Sequence, residues 1–179
     1  MGAKISAKLR QQIASYIEKH YIDTDERMAY PSAVYQSRPT CASMERAEAC
    51  KELCMSVLSL EDILEQADAG FTETLLHRID QTGKKDSEIY KKANISKQHF
   101  SKIRNNPQYK PTKATALALA IALELDLDQT RDLIGRAGFA LTNSSKADLI
   151  IRYFIENRNY NITEINIALY EFDQPLLGA

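Results

Sequence analysis

The stretch Ser96–Asn106, SKQHFSKIRNN, decides how this chain is read. At about 100° per residue, Phe100 and Ile103 fall together on one face of a helix, while Gln98, Ser101, Lys102 and Asn105 fall on the opposite one. Ser96 is suited to cap that helix, because its hydroxyl can accept from the free N–H groups of the first turn. The outward face carries donors and amides and no carboxylate.

The flanking residues fit around this helix. Upstream, KKDSEIYKKANI predicts another short helix with Ile89 and Ala93 on one side, joined to the Ser96 helix through a tight turn at Ala93-Asn94-Ile95. Asn94 tolerates the left-handed backbone such a turn needs. Downstream, Lys110-Pro111-Thr112 breaks the chain, and Thr112 can cap a helix running TKATALALAIALEL. With Leu117, Leu119, Ile121, Leu123 and Leu125 spread round it and alanines between, that helix is expected to be buried on all sides.

The succession ANIS, KQHFSKI, KPTKAT, ALAIALELDLDQTRDLI resembles the helix-turn-helix domain of the Cro and phage-repressor type, also called XRE-like or lambda repressor-like. The resemblance covers residues 70–138 and implies an all-α fold of five helices. Phe71 to Ile79 would be the first, Lys85 to Ala93 the second, Ser96 to Asn105 the recognition helix, Thr112 to Leu125 the fourth and Asp128 to Ile134 the fifth. It also implies a DNA-binding regulator acting as a homodimer, with the recognition helix in the major groove of double-stranded DNA. Gln98, Ser101 and Lys102 would then meet base edges, since Gln can pair with adenine N6 and N7 and Lys can donate to guanine O6 and N7. Lys84, Lys85, Lys91, Lys92, Lys97, Arg104, Asn105, Lys110 and Lys113 would contact phosphates, which position a protein without specifying sequence.

Charge supports this through its distribution rather than its sum. The net charge of the 179 residues is −1, but residues 84–113 carry nine Lys or Arg against two Asp or Glu, while residues 1–83 carry nine against thirteen and residues 114–179 five against nine. A segment of +7 therefore lies between two of −4, and it coincides with the second and third helices of the resemblance.

Outside that domain, residues 1–69 read as an N-terminal helical extension. Ile5, Leu9, Ile13, Tyr16, Ile17 and Tyr21 are spaced as in an amphipathic helix over 4–22. Residues 23–43, with Pro31 and Pro39, read as a long loop, and residues 44–58 and 59–68 as helices, the second opened by a capping box at Ser59. Cys50 and Cys54 stand at i and i+4 with Cys41 nearby. Two or three thiolates at that spacing can hold a metal, but no fourth ligand is evident and the cysteines share an apolar stripe, which points to buried free thiols.

Residues 139–179 read as a C-terminal helical hairpin. Ser145 to Asp148 forms a capping box before LIIRYFIEN, and Asn161 can cap INIALYEF. The first of these helices is apolar on more than one face, so it must be buried in the domain or between subunits, and Ile151 and Phe154 are the candidate dimer contact. The tail QPLLGA is expected in a groove.

His20, His77 and His99 are far apart, and phosphate-loop, dinucleotide and zinc-hydrolase motifs are absent, so neither enzyme, metal nor cofactor is expected. The chain has no run of 18 apolar residues and no signal-peptide pattern, which gives a cytoplasmic, non-membrane expectation. A second function class stays open beside the DNA-binding regulator: a helical adaptor that keeps the fold and binds protein through residues 1–69 or 139–179.

Overall fold

The computed structural model describes residues 4–22 and 69–178. Among them the regular structure is entirely helical: α1 (Ala7–His20), α2 (Phe71–Thr82), α3 (Asp86–Lys92), α4 (Lys97–Asn105), α5 (Lys113–Ala122), α6 (Leu127–Arg136), α7 (Lys146–Glu156) and α8 (Ile162–Glu171). The expected loop over 23–43, the helices over 44–68 and the three cysteines lie outside the described residues.

The helix starts follow from side chains that accept from orphan N–H groups. Ser6, Ser96, Thr112, Ser145 and Asn161 cap α1, α4, α5, α7 and α8. Asp126 forms a full capping box with Gln129 at α6, a signal the sequence reading passed over. The box expected at Ser145 is only half present. The Ser145 hydroxyl accepts from the Asp148 N–H, but the Asp148 carboxylate turns inward to Thr142 and Lys113. Gly135 lies inside α6, and the left-handed residue after that helix is Gly138, with φ +83°.

In α5, Thr115 to Ala122 are all buried. α3, α6 and α8 pack against it, and α2 packs against α6 and α4. Alanines at 116, 118, 120 and 122 bring the neighbouring backbones close. One hydrophobic core continues from these helices into α7, α8 and α1, so residues 4–22 and 139–178 share it with residues 70–138.

α1 lies along α7. Ile13 and Ile17 of α1 are buried, and so are Ile151 and Phe154 of α7, each 1% exposed. The dimer contact expected at those two residues is therefore corrected: they belong to the chain's own core, with α1 and α8 packed on α7. Sequence periodicity could tell that α7 is covered on several sides but not by what.

Polar groups at the edge reinforce the α1–α7 packing. The Tyr16 hydroxyl donates to Glu156 at 2.8 Å, and Arg152 donates to the same carboxylate at 2.7 Å. Burial pushes Glu156 up, yet the bonds from Arg152 and Tyr16 outweigh it and hold the carboxyl below its usual range. Burial, with the bond to Glu156, pushes the Tyr16 phenol up to about 12. The folded state thus holds the Tyr16 proton more tightly than the unfolded state does. That stability is present below pH 10 and is lost as pH rises through about 12.

Two outcomes are expected. Phe154→Ala should lower stability by about 3 to 5 kcal/mol in denaturant titrations, as for other large core truncations. Tyr16→Phe should flatten the loss of stability between pH 10 and 12, followed by thermal melts across that range.

Candidate nucleic-acid interface

α4 is held from one side only. Phe100 and Ile103 are 4% and 1% exposed and anchor the helix in the core, while Gln98, Ser101, Lys102 and Asn105 are exposed. The two-faced reading of this stretch matches that arrangement residue for residue. Ser96 caps its start by accepting from the His99 N–H at 3.2 Å, and Asn94 adopts the left-handed conformation, φ 55°, that ends α3 and turns the chain into α4.

The loop after α4 is tied back to the helix. The His99 ring nitrogen Nε2 and the Tyr109 hydroxyl are 3.0 Å apart, and Thr72 of α2 donates to the Asn106 carbonyl. Ser101, Lys102, Asn105, Asn106 and Tyr109 consequently line one open cleft beside α4. Within it Asn105 donates to the Ser101 hydroxyl at 3.2 Å, which orients both groups on the outer face. Asn106 and Tyr109 had no place in the sequence reading of this surface, because their contacts are made across a loop without periodicity.

The basic residues divide into two groups. Lys85, Lys91, Lys97, Lys102 and Lys110 are exposed and have no carboxylate within ion-pair distance among the described residues. The other four are paired. Lys84 and Lys92 converge on Glu124, and Arg104 pairs with Asp86. Hydrogen bonding from Lys92, then its charge, holds the Glu124 carboxyl below the usual range. Glu124 sits at φ 58°, immediately after α5, and that turn presents it to the end of α3. Nothing in the sequence spacing joins position 124 to 84 and 92.

Lys113 is a different case. Its Nζ lies 2.6 Å from Asp148 Oδ2, and the Asp148 side chain is 4% exposed. The same oxygen accepts from the Thr142 N–H at 2.9 Å and from its hydroxyl at 3.1 Å. The Asp148 carboxylate therefore joins the start of α5 to the loop before α7, and Lys113 compensates a buried charge rather than standing free for a ligand.

Among the described residues there is no cluster of three His, Cys, Asp or Glu that could hold a metal ion, and no helix is long and apolar enough to cross a membrane. Compared with models of protein families, with curated proteins and with solved structures, the chain matches none.

Removing the carboxylate at 148 takes away a buried anion with three donors around it. Asp148→Ala should cost about 2 kcal/mol or more in chemical denaturation, whereas Glu124→Gln, whose pairs are solvent-exposed, should change stability by less than about 1 kcal/mol.

Proposed function

We propose that the chain is a sequence-specific DNA-binding regulator of the Cro and phage-repressor type, in which α2 to α6 form the five-helix unit and α4 enters the major groove. The observation that carries this reading is the face of α4: Gln98, Ser101, Lys102 and Asn105 stand exposed together on a helix whose other face is buried, and Lys97 and Lys102 of that helix have no carboxylate partner among the described residues. Gln98, Ser101 and Lys102 read base edges, and Lys85, Lys91, Lys97 and Lys110, with Asn105, lie against phosphates.

The paired cations have lesser roles on this reading. Lys84, Lys92 and Arg104 must exchange an intramolecular carboxylate for a phosphate, so they add less to affinity than the unpaired lysines. Asp86, at the start of α3, is neutralised by Arg104 and does not face the polyanion as a bare charge. The active form is a homodimer on half-sites about one helical turn apart, joined through a surface other than the buried Ile151 and Phe154. The second reading, a protein-binding adaptor, draws on Tyr170 and Leu176, which are 71% and 43% exposed near the end of the chain.

A fluorescence-anisotropy titration against the DNA upstream of the chain's own gene and against scrambled DNA, at low and at physiological salt, separates the two. Tight, selective and salt-steep binding is expected. Lys97→Ala should weaken binding to every sequence and lower the salt slope by about 0.9, whereas Lys102→Ala should relax selectivity by about 1 to 3 kcal/mol at one base pair. No binding at low salt would favour the adaptor.

A further inference from the structure

After α8 the chain reverses at Asp173, φ 52°, and Gln174 donates its N–H back to the Leu169 carbonyl at 2.8 Å. The following residues run back against the body of the protein and are gripped there. The Asn166 side chain of α8 pairs with the backbone of Leu177 in both directions: Asn166 Nδ2 donates to the Leu177 carbonyl at 3.1 Å, and the Leu177 N–H donates to Asn166 Oδ1 at 2.8 Å. The Leu177 side chain is 3% exposed and belongs to the core.

Gly178 then meets the turn between α3 and α4, backbone against backbone. A Cβ at position 178 would lie 2.3 Å from the Ala93 carbonyl oxygen, 3.0 Å from that of Asn94 and 3.1 Å from the Asn94 Cβ. With φ +73° as well, the position excludes any side chain on two grounds. Ala93, 0% exposed, belongs to the core, so its carbonyl that meets Gly178 is fixed in place. The turn is thus held from within by the hydrogen bonds of its own backbone, Ile95 N–H to Tyr90 and Asn94 N–H to Lys91, and from outside by the segment that ends at Gly178.

We propose that Gln174–Gly178 is a strap that clamps the α3–α4 turn and thereby sets the placement of α4. Two helices as short as α3 and α4, seven and nine residues, have little stability of their own, so their mutual angle depends on what holds the turn between them. Displacement of the strap releases that turn while the Phe100 and Ile103 anchors stay in the core. The outward face of α4 then loses its fixed orientation without unfolding. The clamp itself stands whatever α4 binds; its effect on DNA rests on the function proposed above.

The test uses the full chain with Gly178→Ala, which collides with the turn, and separately Asn166→Ala, which removes both bonds to Leu177. Residue-resolved amide hydrogen exchange at Asn94 and Ile95 is expected to accelerate about tenfold or more in both variants, with the α7 amides of Leu149 to Ile155 unchanged. Unchanged exchange at the turn, or an equal acceleration in α7, overturns the strap. The same variants are titrated with DNA. If the parent protein binds, the strap predicts weaker binding at equal global stability, and unchanged affinity overturns its control of α4. If the parent protein does not bind, the DNA reading fails by itself, and the exchange data still decide the clamp.

Discussion

The burial of α5 on all sides is the constraint on which the described structure depends. A helix with no polar face has to be surrounded, and α3, α6 and α8 do this. Because alanine recurs at every second position from 116 to 122, the surrounding helices can approach closely, and larger side chains such as Ile89, Leu133 and Ile165 fill the space between. The hydrophobic gain of this arrangement stabilises α3, and α4 packs in turn on α3 and α2; neither helix is long enough to persist in isolation.

Around that centre the polar groups sort by depth. Asp148 is buried and has three donors on its carboxylate, as a charge removed from water requires. Glu124, Asp132 and Glu156 lie nearer the solvent, and each is shared between two donors from different positions: Lys84 and Lys92, Arg78 and Arg136, Arg152 and Tyr16. Exposed pairs of this kind add little to stability. Glu124 alone of the three takes cations of the basic segment, Lys84 and Lys92, and leaves Lys97 and Lys102 of α4 without a carboxylate partner among the described residues.

The chain after α8 links the hairpin to the α3–α4 turn, held by the Asn166 side chain and by the close approach of Gly178. Leu177 enters the core, and Gly178 lies against Ala93 and Asn94. The candidate interface is consequently supported by α2 and α3, which pack on α4, and by residues 174–178 at the turn, far from it in sequence. A surface that depends on distant segments can be altered by substitutions that touch none of its own residues.

Much of the local structure was legible in the sequence, because it follows from short-range physics. Hydroxyl and amide caps at Ser96, Thr112, Ser145 and Asn161 depend on residues two or three positions away, and the apolar spacings that define α1, α4 and α5 depend only on helical period. The left-handed turn at Asn94 and the burial of Phe100 and Ile103 belong to the same class. Tertiary structure alone decided the partners. That α1 packs on α7, that Glu124 takes Lys84 and Lys92, that Asp148 takes Lys113, and that Gly178 reaches Ala93 are contacts between residues tens of positions apart. The physical reason is that periodicity states which face of a helix must be covered, whereas the identity of the cover depends on how all the helices pack at once.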